Sequence, residues 1–127
     1  MQDKILYEYA VIRILPKVER EEFFNVGVMI YSKEKKYLKI KTYLNEAKFN
    51  LFESELDLHQ VNLNLHSFEL IALGEKQGGP IAQMDIASRF RWMTAVRSSC
   101  IQTSRPHPGF SEDLDETLER LFTEMVL

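Results

Sequence analysis

The 127-residue chain has one cysteine, Cys100, so no disulfide can form within it. A lone thiol fits a reducing compartment. No apolar run approaches the ~20 residues needed to span a bilayer, and the opening Met1-Gln2-Asp3-Lys4 is not built as a secretory signal. An excess of positive charge is lacking too. Sixteen Lys and Arg stand against 19 Asp and Glu, a net charge of −3, which argues against a general affinity for nucleic acid or anionic membrane. A soluble cytoplasmic protein is expected. There is no His-Glu-x-x-His, no paired cysteine, no Gly-x-Ser-x-Gly and no kinase or dinucleotide fingerprint. The glycine-rich stretch Gly74 to Pro80 lacks the Lys-Ser/Thr ending of a phosphate loop and reads as a connector. His59 and His66 are separated by about 10 Å of helical rise, too far to share one metal ion unaided. No metal and no cofactor is expected. No internal repeat or low-complexity segment is visible.

What remains is the composition of an ordinary globular protein, 45% apolar and 28% charged, read as a single domain over residues 1–127. Ile5 to Leu15 alternates as a strand that should stop at Pro16. Tyr7, Tyr9, Val11 and Arg13 fall on one of its faces, which leaves Arg13 either snorkelling over aromatic rings or facing a ligand. Phe23 to Tyr31 is a second strand in which Gly27 marks a bulge, a close backbone approach or a ligand. Lys36 to Tyr43 is a third, its lysines expected on a solvated face.

Helical signals follow. Glu46 to Glu53 is a short candidate, and Asp57 caps a longer helix whose apolar side is Leu58, Val61, Leu65, Phe68 and Ala72. Asp85 caps a helix from Ile86 to about Met93. Arg97 to Ser104 reads as a fourth strand and Pro106 to Gly109 as an irregular turn. Asp113 with Glu116 three residues on opens a C-terminal amphipathic helix through Leu114, Leu118, Leu121, Phe122 and Met125. The fold expected is α+β: an antiparallel sheet of three or four strands, helices packed on one face, and the C-terminal helix closing the core.

The candidate chemistry lies between residues 89 and 107. Arg89, Arg91, Arg97, Arg105 and His107 occur there, interleaved with Thr94, Ser98, Ser99, Gln102 and Thr103. Guanidinium groups beside hydroxyls and amides suit an anion, and burying several of them unpaired is costly. Three explanations stay open: internal ion pairs, a cleft for a phosphate or carboxylate, or a protein interface anchored by Trp92 and arginine. Cys100 with His107 seven residues on admits a Cys-His nucleophile, although a lone Cys is more often a small core residue.

Several segments also resemble an uncharacterised bacterial family, a domain of unknown function of about this length. They are Tyr7-Glu8-Tyr9-Ala10-Val11-Ile12-Arg13, Phe24-Asn25-Val26-Gly27-Val28, Gly78-Gly79-Pro80, Phe90-Arg91-Trp92-Met93-Thr94-Ala95-x-Arg97-Ser98 and the Ile101-Gln102-x-Ser104-x-x-His107-x-Gly109 tail. Val96 and Thr103 stand where the family usually has proline. The resemblance implies no established activity. It implies, by gene neighbourhood only, a HipA-like kinase-fold protein as partner. Its polar positions here are Arg13, Asn25, Arg89, Arg91, Arg97, Ser98, Gln102, His107 and Gly109. The expected function is a small binding or accessory module, with an arginine-rich site for an anionic ligand or a protein partner. The alternative is an enzyme of phosphoryl or ester chemistry, with His107 as acid/base and the arginines steadying developing charge.

Overall fold

A computed structural model describes residues 4–17, 20, 22–52, 56–95 and 100–127. Three long strands form the expected meander: β1 (Ile5–Lys17), β2 (Glu22–Ser32) and β3 (Tyr37–Thr42). Helices α1 (Glu46–Leu51), α2 (Leu58–Leu73) and α3 (Ile86–Met93) follow, then strands β4 (Ile101–Thr103) and β5 (His107–Ser111) and helix α4 (Leu114–Met125). The α+β class and the C-terminal amphipathic helix are as the sequence indicates. Asp57, Asp85 and Asp113 each cap a helix, accepting from the backbone N–H of His59, Ser88 and Glu116.

The sheet has five strands, one more than expected. Its order is β3-β2-β1-β4, with β5 also paired to β1. β4 meets Ile12 to Ile14, and β5 meets Ile5 to Tyr9, so the two lie end to end along one edge of β1. Between them Ser104 keeps the ladder intact: its N–H donates to the Val11 carbonyl and its Oγ accepts from the Val11 N–H. The expected irregular turn at 106–109 is therefore a strand from His107. An edge strand tolerates Pro108, which has no N–H to give an outer neighbour. Gly109 is covered by Tyr7 on the facing strand; a Cβ there would meet the Tyr7 hydroxyl oxygen at 2.5 Å.

The second correction concerns the helices, which cover both faces of the sheet. Ala10, Ile12, Ile14, Met29 and Tyr31 pack with α2 and α3. Tyr7, Val28 and Ile30 pack with α4. Strict alternation along β2 would put Phe24, Val26, Val28 and Ile30 together, but Phe24 and Val26 join the α2 side. A bulge produces the switch. Ile12 pairs with Gly27 and Arg13 with Asn25, so β2 holds one extra residue, Val26. Gly27 is needed there because a Cβ would meet the Lys41 carbonyl oxygen at 2.9 Å. Pro16 does not end β1. It sits in a second irregularity, where three steps of β1 between Ile14 and Lys17 oppose two of β2.

The lysines of β3 are solvent-side as expected, with Lys39 and Lys41 side chains 54% and 38% exposed, but their face also carries α4. Lys39 pairs with Asp115 and Lys41 with Glu119, both on α4. The acidic side of that helix lies along β3.

Candidate functional site

The sheet separates the residues the sequence singles out. Arg13 stands in the middle of a polar row on the α4 face. Asn25 of β2 is its cross-strand partner on one side and Gln102 of β4 on the other. Three neighbouring strands place these side chains within ~10 Å of one another. The row begins where α4 ends: Asn25 Nδ2 donates to the Met125 carbonyl oxygen at 2.9 Å.

Arg13 is half-buried, with its guanidinium carbon 4.1 Å from the centre of the Phe23 ring. The aromatic support that β1 alternation assigns to Tyr7 and Tyr9 comes from the adjacent strand instead. Burial lowers the Arg13 pKa, although the group stays charged throughout the biological range. Arg13 forms no ion pair among the described residues. Among the described residues its Nε has no hydrogen-bond partner, and neither does Asn25 Oδ1. Of the four buried side-chain atoms left unpaired among the described residues, those of Arg13, Asn25 and Thr103 lie on these three strands. An unpaired donor and a ring-backed cation in one row suit a planar anionic group, whereas the Asn25 oxygen, an acceptor, calls for a donor.

The other candidates lie elsewhere. Arg91 is on the opposite face, where its two Nη atoms grip the Glu8 carboxylate at 3.1 and 2.8 Å. Glu8 raises the Arg91 pKa, and the guanidinium also lies over the Phe90 and Tyr31 rings. Arg89 is buried between α2 and α3 with its guanidinium against Gly74. His107 shares the Arg13 face, opposite Tyr9 on β5, four residues or ~13 Å along β1. It is exposed, its ring tilted against Tyr9 with centres 5.3 Å apart. Arg97 and Ser98 lie outside the described residues. Cys100 is half-buried, and burial pushes its thiol pKa up, away from the reactive thiolate. His59 and His66 are exposed on α2. Among the described residues, no three metal-ligating side chains come together, and no helix is long and apolar enough to cross a membrane.

Phe23 is the contributor that sequence reasoning missed. It stands at the β2 entrance among charged residues, and only the pairing of β1 with β2 brings it to Arg13. Fold and row together define a small α+β protein with a polar row across its sheet. The DUF3037 family, described as a protein of unknown function, matches residues 9–126, and the chain belongs to that family. No curated protein and no solved structure matches the chain.

Proposed function

We propose that this protein is a binding module, and that Arg13, Asn25 and Gln102 receive an anionic group, a phosphate or carboxylate of a small ligand or of a partner protein. The observation that carries this reading is the half-buried guanidinium of Arg13, stacked on Phe23 with no carboxylate beside it among the described residues. A charge held out of water without a counter-ion is costly. An incoming anion relieves that cost, while the Phe23 ring fixes the plane of the fork. Arg91, Arg89 and His107 are left out of the site: Arg91 is committed to Glu8, Arg89 is enclosed, and His107 lies ~13 Å away. The module then acts as a cytosolic accessory protein. The HipA-like kinase-fold protein implied by the family resemblance is the partner to try first.

Thermal shift tests the reading on wild type, Arg13→Ala and Arg13→Lys, against phosphate, sulfate, acetate and citrate. A ligand at a hundred times its Kd stabilises by about 2.7 kcal/mol, several degrees for a chain of this size. The expected result is a shift in wild type, a reduced one in Arg13→Lys, which keeps the charge and loses the fork, and none in Arg13→Ala. An unchanged ligand-induced shift in Arg13→Ala overturns the site.

A further inference from the structure

The face that carries α2 and α3 is covered over only part of its area. Tyr7, under α4, is 6% exposed, whereas Leu6, next to it on β1 and turned to the other face, is 51% exposed. Phe110, opposite Leu6 on β5, is 67% exposed. Beside them runs a groove of about 580 Å³, with Leu6, Tyr31 and Pro108 among its apolar walls and Glu8, Lys33 and Glu34 at its rim. We propose that this groove receives an amphipathic helix of a partner protein, with acidic side chains flanking its apolar stripe.

Three observations select that occupant. First, β5 forms the neighbouring edge of the sheet and carries Pro108, which has no N–H to give an added strand, so the edge is a poorer template for a partner than the apolar face. Second, the β2–β3 turn that borders the groove is cationic. Glu8 is neutralised by the Arg91 fork, and the β2–β3 turn holds Lys33, Lys35 and Lys36 against a single acid, Glu34. None of these three lysines forms an ion pair among the described residues. A second copy would bring one cationic turn against another, whereas a helix with acidic flanks complements it. Third, the chain already binds such a helix on its other face. There α4 lays its apolar side on Tyr7, Val28 and Ile30 while Asp115 and Glu119 reach Lys39 and Lys41. The groove repeats the apolar floor, with the lysines of the β2–β3 turn beside it, which suits the helix-in-groove mode of recognition.

The test uses two synthetic helical peptides with the same Leu/Phe stripe, one flanked by Glu and one by Lys. Their binding is read by fluorescence anisotropy against wild type, Leu6→Asp, Phe110→Asp and Lys33→Glu. Leu6, Phe110 and Lys33 are exposed, so the variants should melt close to wild type. The Glu-flanked peptide is expected to bind wild type at least about tenfold more tightly than the Lys-flanked one. Leu6→Asp and Phe110→Asp should weaken it by about tenfold or more, and Lys33→Glu by several-fold. Absence of binding, equal binding of the two peptides, or indifference to Leu6→Asp overturns the proposal. A wild-type dimer in sedimentation that Phe110→Asp dissociates gives the groove to a second copy and overturns it as well. The groove and the Arg13 row lie on opposite faces, so the two tests fail independently.

Discussion

Arg89 is only 9% exposed, yet among the described residues its Nε has no hydrogen-bond partner. Its surroundings give it a structural part. The guanidinium packs against Gly74, the left-handed cap at the carbonyl end of α2, where the helix dipole favours a cation. Gly74 has φ +73, and a Cβ there would overlap Arg89 Nη1. Two penalties therefore meet at one residue: a left-handed backbone, ~1 kcal/mol for alanine, and displacement of a buried guanidinium. Gly74→Ala should lower stability by about 2–3 kcal/mol in urea unfolding. In an Arg89→Ala background the same substitution should cost only the backbone part, and a double-mutant cycle measures the difference. Equal costs in both backgrounds would show that Arg89 does not occupy the glycine notch. The sequence reveals part of this. A glycine after an apolar-periodic helix announces its C-cap, and Asp57, Asp85 and Asp113 announce N-caps, because caps are satisfied within three residues. Where Arg89 goes is decided by the angle between two helices, which no local pattern records.

The seam between α4 and β3 shows the same limit at the level of whole elements. The apolar stripe of α4 is plain in the sequence, and so are the lysines of β3. Each set of charges, taken alone, reads as a solvated surface, and only the docking of α4 makes them partners. The Tyr37 hydroxyl donates to Asp115 at 2.7 Å, and Lys39 reaches the same carboxylate. Those contacts, the tyrosine first, hold the Asp115 carboxyl below its usual range. Burial, then the bond to Asp115, pushes the Tyr37 phenol above its usual range. The signs give two pH limits. Asp115 has a depressed folded pKa, so its contribution is present above the unfolded carboxylate range and is lost as pH falls through the folded value. Tyr37 has a raised one, so its contribution is complete below the unfolded value of ~10 and declines as pH rises past it. The chain should lose stability at both extremes. Tyr37→Phe should cost at most ~1 kcal/mol near neutrality, because the pair is exposed, and should flatten the alkaline decline. Denaturant midpoints of wild type and Tyr37→Phe between pH 3 and 11 check this; an alkaline limb unchanged by the substitution would place its origin elsewhere.

At the scale of the molecule, one extra residue in β2 decides which side chains share a face. The sequence shows four strands, four helices and the helical caps, since each rests on local periodicity. It does not show that helices cover both faces, because alternation through Phe24, Val26, Val28 and Ile30 predicts one apolar face where the bulge makes two. Arg13, Asn25 and Gln102 stand among the polar positions of the family resemblance, but their assembly into a row depends on the same bulge. With Val26 inserted, Asn25 turns to the α4 face, caps the Met125 carbonyl and comes beside Arg13. Deleting Val26 removes the insertion, and every residue from Glu22 to Asn25 must then change faces or break register. Phe24 would leave its stack with Phe52 on the α2 side, and Asn25 would be driven into the apolar layer beneath α2. Both consequences are expensive: a core aromatic lost from its cluster costs ~3–5 kcal/mol, and a buried amide without partners ~1–3. Together they rival the whole stability of a chain of this size, so the deletion variant should melt without a cooperative transition. Gly27→Ala keeps the insertion but crowds the Lys41 carbonyl, so it should retain a cooperative transition at a lower temperature. Calorimetry of the two variants separates the need for the bulge from the need for its glycine. A deletion variant that melts cooperatively, with anion binding intact, would mean that the row forms without the switch of faces.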